Sequence, residues 1–201
     1  MPRPPDADLE ERIVAAAMRL LDRGGGPAIT LRAVAKEAGT TTPTIYQRFE
    51  DREVLMNSVI ERVTDSVVAV LQRTTSVEGL VREYLRDCLE HPMRLELSVH
   101  TFGRRYVAGE AMPAFELLQS RITEDIGIKG RDCEDLALAI AALAFGTAQG
   151  MAAAAANRKH VQQIEASALR ALRMLVAAFS GGGTSRARPV PLRNKKISRS
   201  R

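Results

Sequence analysis

The chain of 201 residues is poor in aromatic residues: it has 3 tyrosines, 5 phenylalanines and no tryptophan, and it holds only 2 cysteines. It also lacks long runs of alternating β-branched residues, which mark half-buried strands, whereas Ala, Leu and Val are abundant and favour helices. Cys88 and Cys133 suit a reducing cytosol better than a disulfide framework. The sequence therefore predicts an all-α protein of the cytoplasm.

Net positive charge is limited to the C-terminal end of the chain. The formal net charge is +5, but residues 181–201 carry seven basic side chains and no acidic one, so that subtracting seven from +5 leaves −2 for the rest. Because the remainder is close to neutral, total charge does not by itself indicate a nucleic-acid partner. A role in DNA binding has to depend on where individual charges lie. The basic tail has nothing to bury and is expected to be disordered.

Long hydrophobic segments are limited to residues 136–156, which are almost uncharged over about 20 residues, the length of a membrane span. This segment is mostly alanine, with Thr147 and Gln149 in its middle. Transfer into lipid would therefore gain little, which favours a buried helix over a membrane span. Residues 1–11 contain no apolar stretch that could serve as a signal peptide. We expect no association with membranes.

Sequence motifs for catalysis or metal binding are also missing. The chain has neither a Gly-rich phosphate loop nor a nucleophile elbow, and Ser98 beside His100 is not a catalytic triad. Cys88 and His91 have the spacing of metal ligands on a helix, but His100 is the only further candidate nearby. We therefore expect no enzymatic activity, no metal and no cofactor.

Hydrophobic residues recur at helical spacing along most of the chain, and capping signals divide it into about nine helices. Residues 24–27 (Gly-Gly-Gly-Pro) end the first helix, and Gly39 is suited to the left-handed conformation that ends the second. The fourth helix is predicted to run to about residue 73, the Ala-rich helix over 132–157 and the last over 161–179. The expected first residues or caps are Asp8, Thr30, Thr41, Asp51, Thr75, Pro113 and Asp132.

Residues 30–55 contain two short helices joined by a glycine turn, the layout of a DNA-reading helix-turn-helix. Hydroxyls and helix-terminal N–H groups suit phosphates, and threonine methyls and Pro43 can touch a thymine methyl. A single threonine here could be only a helix cap, but three in succession favour DNA contact. Arg32 has a guanidinium placed to reach a guanine. The predicted DNA-binding residues are Arg32, Thr41, Thr42, Pro43, Thr44, Tyr46, Arg48 and Arg52.

This stretch resembles the tetracycline-repressor-like (TetR) family of bacterial regulators from about residue 29 to residue 55. The resemblance rests on Thr30, Arg32, Val34-Ala35, Ala38-Gly39, Thr41-Thr42-Pro43-Thr44, Ile45-Tyr46, Phe49 and Asp51-Arg52-Glu53-x-Leu55. It implies that Arg32 reads a base or a phosphate, that Thr42 and Pro43 face bases, and that Thr44, Tyr46 and Arg48 lie against the DNA backbone. It also implies that Arg52, at a position usually held by Lys, anchors a phosphate. Phe49 is expected to fill the small core of the domain, whereas Lys36 and Arg62 are expected to be solvated.

The two C-terminal helices carry patterns suited to packing against a second copy of the chain. Small residues at Ala142, Gly146 and Gly150 share one helical face, which lets another helix approach closely. The last helix has a heptad-like stripe made of Ile164, Ala168, Leu172, Leu175 and Phe179. Two such helices per chain could form a four-helix bundle across a two-fold axis, and the resemblance implies this homodimer. The alternative is that both helices fill the core of a monomer.

Residues 76–127 are predicted to form three helices with apolar and aromatic side chains. The resemblance implies a small-molecule pocket here, although ordinary core packing explains any one of these residues. His100 and Arg104 lie one turn apart and could meet a polar group of a ligand, but a solvated face is the simpler interpretation. The predicted pocket residues are Tyr84, Cys88, Phe102, Tyr106, Met112 and Phe115.

The sequence thus predicts three parts: a helix-turn-helix DNA-binding domain at 1–52, a helical effector-binding and dimerisation domain at 53–180, and a disordered basic tail at 181–201. The expected function is a sequence-specific transcriptional regulator of bacterial origin. It is most simply a repressor that a small-molecule effector releases from a palindromic operator in double-stranded DNA. The alternative is a DNA-binding regulator that has no effector and acts constitutively or architecturally.

Overall fold

The computed structural model describes residues 7–181, and in this range it contains helices and no strand. The predicted all-α fold is therefore confirmed for the described part of the chain. The basic tail that the sequence analysis singles out lies outside it from residue 182 onward. The helices are α1 (Ala7–Gly24), α2 (Leu31–Glu37), α3 (Thr42–Tyr46), α4 (Arg52–Leu71), α5 (Val77–Glu90), α6 (Pro92–Ala108), α7 (Pro113–Ile126), α8 (Gly130–Ala153) and α9 (Arg158–Gly181), with a short 3-10 turn at Gly26–Ala28 between α1 and α2.

Three of the predicted N-terminal caps are confirmed. The Thr30 side chain accepts a hydrogen bond from the backbone N–H of Ala33, and Thr41 accepts one from Thr44. Asp51 accepts from the backbone N–H groups of Glu53 and Val54 at 2.7 and 2.9 Å. Such caps satisfy N–H groups that have no partner within the helix, and they fix where α2, α3 and α4 begin.

Two predicted capping boxes are wrong. Asp8 lies inside α1, where its carboxylate pairs with Arg12 one turn later at 3.1 Å. The cap of α5 is Ser76, which accepts from the backbone N–H of Gly79, and not Thr75. A serine and a threonine adjoin here, and the pattern of side chains alone could not decide which of them takes the extended backbone conformation of a cap.

The C-terminal helices differ from their predicted limits by a few residues. α4 ends at Leu71, and α8 begins at Gly130 and ends at Ala153, four residues before the predicted end. Asn157 belongs to the next helix instead: its side chain accepts from the backbone N–H of His160 at 3.2 Å, at the start of α9. An Asn side chain satisfies an N–H group at a helix start, which an interior position of α8 would not allow it to do.

The core runs through both halves of the described chain. α1, α2 and α3 surround one end of it, and α5, α7, α8 and α9 surround the other. α4 belongs to both, since it packs against α1 as well as against α5, α6 and α7. Among the described helices, α8 alone is long and apolar enough to cross a membrane. It packs in the centre of the C-terminal half, with Leu136, Ala137 and Ile140 almost fully buried.

Candidate DNA-reading surface and ligand cavity

The helix-turn-helix is built around a small buried core. Ile29, Ile45 and Phe49 are each at most 2% exposed, so the predicted core position of Phe49 is confirmed. Gly39 has φ +66°, a left-handed conformation that costs glycine nothing, and it ends α2 as predicted. The backbone N–H of Thr40 then donates to the Ala35 carbonyl at 2.9 Å. This turn sets the angle at which α3 leaves α2.

The predicted DNA-binding side chains fall on the outer surface of α2, α3 and the start of α4. Arg32, Thr41, Pro43, Tyr46 and Arg52 are exposed, and Thr42, Thr44 and Arg48 are half-buried. Tyr46 is 56% exposed, an unusual position for a large aromatic ring that no neighbour covers. We call the group Arg32, Thr41, Thr42, Pro43, Thr44, Tyr46 and Arg48 the reading surface.

The hydroxyls of the reading surface are partly used within the chain. Thr41 Oγ1 and Thr44 Oγ1 lie 2.8 Å apart and share a hydrogen bond, and Thr41 also caps α3. Each hydroxyl oxygen keeps acceptor capacity, but only one of the two can offer its proton outward. The pair therefore holds the first turn of α3 rigid and leaves less freedom for phosphate contacts than two independent threonines would.

Two cations of the reading surface have no protein partner. The side chains of Arg32 and Arg48 form neither a hydrogen bond nor an ion pair with any residue of the described range 7–181. Other arginines of the N-terminal half differ. Arg19 and Arg23 both bind the Glu37 carboxylate, and their hydrogen bonds lower its pKa.

Arg62, expected to be solvated, instead pairs with Glu11 and joins α4 to α1. The expectation failed because the partner lies 51 residues away in the chain. Arg32 and Arg48 are thus cations of the reading surface that the described part of the chain leaves available to an external anion, as it also leaves the exposed Lys36 on α2.

Arg52 lies beside this surface, but its guanidinium is bound to the protein. Its Nε donates to the Ile29 carbonyl at 2.7 Å and its Nη2 donates to the Gly26 carbonyl at 2.9 Å. These two bonds fasten the first residue of α4 to the 3-10 turn that precedes α2. The Arg52 guanidinium therefore has a structural role that the sequence pattern does not indicate.

An apolar cavity of about 140 Å³ lies in the C-terminal half. α4, α5, α6, α7 and α8 all contribute to its wall, which is mostly aliphatic and aromatic. The α4 contribution comes from Ile60, Val63, Thr64, Val67 and Leu71, along the second half of that helix. A cavity of about 150 Å³ is known to hold benzene, so this one has room for a small organic molecule.

The structure brings four of the predicted pocket residues together and separates two from them. Tyr84, Phe102, Met112 and Phe115 line the cavity, with the Phe102 ring packed edge-on against Phe115 at 5.5 Å. Cys88 and Tyr106 do not line it. Cys88 is buried elsewhere on α5, where burial raises the pKa of its thiol to about 11. Tyr106 is 37% exposed and stacks on the outer face of Phe102.

Polar groups at the cavity are few and incompletely paired. The Tyr84 hydroxyl is buried without a hydrogen-bond partner, and its burial raises its pKa. Arg105 also lines the cavity, and its Nε is buried without a hydrogen bond. His100 and Arg104 are exposed residues outside the cavity wall, as the simpler interpretation of a solvated face predicts. Across residues 7–181, no three His, Cys, Asp or Glu side chains converge as a metal site would require.

Some residues of the predicted dimer face pack within the chain, and others line an open groove. Ala168 and Leu172 of α9 are buried within the chain, and the side chain of Ile164 lies against Gly150 of α8. An open groove between α8 and α9 is lined by Ala142 and Gly146 on one side, and a Cβ built on Gly146 meets nothing within 4 Å. The other side carries Ser167 and Ala171, followed on the same face by Met174 at 73% exposure.

A helix-turn-helix carried on an all-helical C-terminal half that encloses a cavity defines a class of DNA-binding regulators. Residues 13–59 match the family described as "Bacterial regulatory proteins, tetR family". This N-terminal segment is therefore similar to the tetR family.

Curated relatives match part of the chain. An uncharacterised HTH-type transcriptional regulator of Mycobacterium tuberculosis, Rv0681, is 36% identical over 63 residues, which are 31% of this chain and 29% of that protein. Another, Mb2274c of Mycobacterium bovis, is 35% identical over 79 residues, 39% of this chain and 40% of that protein. The matched segments span less than half of either relative.

Solved structures resemble the whole described fold. A TetR regulator of Streptomyces coelicolor, SCO7222, superposes with a TM-score of 0.69 over 86% of this chain and 97% of its own, at 19% identity. A TetR-family transcriptional regulator from the same organism gives a TM-score of 0.67 at 16% identity, over 84% of this chain and 83% of its own. At these identities the likeness concerns the fold alone.

Proposed function

We propose that this protein is a sequence-specific DNA-binding transcriptional regulator that binds a palindromic operator as a homodimer and acts as a repressor released by a small molecule. The observation that carries the proposal is that one helix, α4, connects the reading surface to the cavity. α4 begins beside the reading surface, and its second half forms one wall of the cavity.

Binding of DNA is supported by the charge distribution at the reading surface. Arg32 and Arg48 lie on the outer side of the helix-turn-helix and are not neutralised by the described part of the chain. In a helix-turn-helix, the N-terminal residues of the second helix approach base edges while flanking cations meet phosphates. Since α3 has only five residues, a single reading head makes few base contacts, and a dimer on two half-sites would supply the missing discrimination.

The groove between α8 and α9 is our candidate for the dimer interface. It presents small and apolar residues from two long helices, and Met174, which is 73% exposed, lies beside it. Two such helix pairs can close a four-helix bundle about a two-fold axis, in which both copies use the same surface. Replacing Gly146 by Trp fills the groove, whereas replacing exposed Gly103 on α6 by Trp does not, so only the first change should produce a monomer in light-scattering chromatography.

Release by a ligand is supported by the position of the cavity against α4. This helix of 20 residues is roughly 30 Å long at 1.5 Å per residue. A tilt of about 5° at the cavity end would therefore move the reading end by about 3 Å. Half-sites are spaced by the helical repeat of DNA, so such a shift weakens binding by the dimer. The cavity counts against the alternative of a regulator without an effector.

Selection of DNA from a random-sequence pool by the full chain tests the proposal. We expect enrichment of duplexes with two inverted half-sites about one helical turn apart, bound by the dimer in fluorescence anisotropy and not by the Gly146→Trp variant at the same concentration. The Arg48→Met variant, which loses one cation of the reading surface, should bind every selected duplex more weakly. Absence of any enriched sequence would overturn the proposed function.

A further inference from the structure

The cavity wall has a single charge. Of the side chains that line it, Arg105 on α6 alone is ionised at neutral pH, and no carboxylate lines the wall. The remaining polar groups are the hydroxyls of Thr64, Ser98, Thr101 and Tyr84. Thr64 and Ser98 donate their protons to carbonyls of their own helices, at 2.9 and 3.0 Å. The cavity is thus an apolar space with one cation at its edge.

The Arg105 guanidinium is held at this edge without a full partner. Its side chain is 19% exposed, and its Nε, which no solvent reaches, makes no hydrogen bond. The nearest acid, Glu110, lies 3.7 Å from Nε, beyond hydrogen-bond distance, on a side chain that is 51% exposed. A buried, unpaired N–H group of a cation is costly, so a ligand acceptor that reaches it gains more than an exposed arginine would offer.

The position of Arg105 is fixed by the way α6 ends. Gly109 takes a left-handed conformation with φ +67°, and the backbone N–H of Glu110 returns to the Arg105 carbonyl at 3.0 Å. This motif ends the helix one turn after Arg105 and places Glu110 beside its guanidinium. Since the guanidinium is planar with fixed donors, it matches a carboxylate in a bidentate arrangement.

We propose that the cavity binds a compact apolar carboxylic acid, with its hydrocarbon part among the aromatic and aliphatic side chains and its carboxylate on the Arg105 guanidinium. This inference rests on the proposed function, whose effector it assigns to a chemical class. The volume of about 140 Å³ sets the size, since a cavity of about 150 Å³ holds one benzene ring. One aromatic ring, or an aliphatic chain of similar volume, with the acid group at the edge satisfies both requirements.

Isothermal titration of the full chain with three probes of one shape tests the class of ligand. 3-Phenylpropanoate, its primary amide and 3-phenylpropylamine share the ring and the chain length and differ in charge. We expect the acid to bind about 10- to 100-fold more tightly than the amide, as for a hydrogen bond to a charged group, and the amine not to bind. Equal binding of acid and amide, or no binding of the acid, would overturn the inference.

A pair of variants tests whether Arg105 is the source of the preference for the acid over the amide. Arg105→Met keeps the length of the apolar stem and removes the guanidinium, and we expect it to bind acid and amide with equal affinity. Arg104→Met removes the neighbouring exposed cation and should keep the preference of the wild type. The probe comparison in the wild type needs no variant, so poor folding of Arg105→Met would not remove the test. A preference that survives in a folded Arg105→Met variant would overturn the role of Arg105.

A DNA arm separates this inference from the proposed function. The acid should lower the affinity of the wild type for a selected duplex, and about 10- to 100-fold more acid should be needed for the same effect on Arg105→Met. Selective binding of the acid with no selected DNA would refute the regulator and keep the ligand class. Selected DNA without binding of the acid would keep the regulator and refute the ligand class.

Discussion

Replacing Arg52 by Met separates two roles for a residue at the border of the reading surface. The sequence places a cation here for a DNA phosphate, whereas the structure binds its guanidinium to the carbonyls of Ile29 and Gly26. Met keeps most of the apolar stem and removes all donors. A phosphate anchor would lose DNA affinity with little change in folding. If the guanidinium instead links α4 to the 3-10 turn, the substitution would first lower the free energy of unfolding of the protein.

The expected loss of stability follows from the two hydrogen bonds. A bond from a charged donor contributes about 1.5–3 kcal/mol when well shielded, and less when exposed. The bond to Ile29 is partly buried and the bond to Gly26 is exposed, which places the total near 2 kcal/mol. The Gly26 carbonyl still accepts from the backbone N–H of Ile29 at 3.2 Å, so only the Ile29 carbonyl is left unpaired. For a chain of this size, about 2 kcal/mol lowers Tm by about 4–8 °C.

Urea denaturation followed by circular dichroism measures the effect, at one fixed protein concentration because a dimer's stability depends on it. Arg52→Lys should lose most of the same stability, since one ammonium group cannot reproduce the fork that spans two carbonyls. Arg48→Met is the matched control: it should leave the urea midpoint unchanged and weaken DNA binding. An unchanged midpoint for Arg52→Met together with a large loss of DNA affinity would refute the fastening role.

Three further measurements test other parts of the structure. Arg32→Ala should cost about 1–3 kcal/mol in DNA binding and relax the preference at one base pair if it reads a guanine, whereas an equal loss on all duplexes would mark a phosphate contact. Because burial raises the pKa of the Cys88 thiol to about 11, a thiol reagent at pH 8 should label it slowly until urea unfolds the chain, and rapid native labelling would contradict its burial. Arg19 and Arg23 hold the pKa of Glu37 below its ordinary 4.5, so the stability that its carboxylate adds is present above pH 4.5 and is lost as the pH falls through the lowered pKa. The urea midpoints of the wild type and Glu37→Gln should therefore differ at pH 7 and converge in acid. A difference that persists in acid would argue against the ion pairs.

The helix-turn-helix could be predicted from the sequence because its geometry depends on local signals. Thr30, Thr41 and Asp51 each cap the helix that follows them, and Gly39 takes the left-handed turn. Each of these features involves residues within a few positions of one another. A pattern of residue types is sufficient to find such contacts, since the backbone that they require is the same in any protein.

Contacts between distant segments could not be predicted in the same way. Arg52 and Arg62 have the same side chain on one helix, yet the first binds carbonyls 23 and 26 residues away and the second binds Glu11. Which of them is solvated depends on how α4 lies against α1 and the 3-10 turn, and hydrophobic spacing does not specify this. Which α4 residues line the cavity could not be predicted for the same reason, since Val63 and Val67 look like ordinary core residues.

The position of Arg105 in the cavity wall could almost be predicted from helical spacing. His100 and Arg104 lie one turn apart, but they share the exposed face of α6. Ser98, Thr101, Phe102 and Arg105 share the opposite face and line the cavity. Placing Arg105 on the face of Phe102, three residues earlier, was possible from the 3.6-residue period. The helical period does not predict that α7 and α8 enclose that face of α6.

α4 and α6 form the part of the cavity wall that faces the N-terminal half, and each is attached to that half at a different point. α4 is fastened through Arg52 to the 3-10 turn before α2. α6 is fastened through Arg94, which is 14% exposed and binds both carboxylate oxygens of Asp22 near the end of α1 at 2.7 Å. Because Arg62 also joins α4 to Glu11 of α1, a ligand that moves α4 relative to α6 would strain the links to both the 3-10 turn and α1, and the reading surface lies just beyond that turn. The proposed release needs no contact between ligand and DNA-binding residues, because both links run through the protein itself.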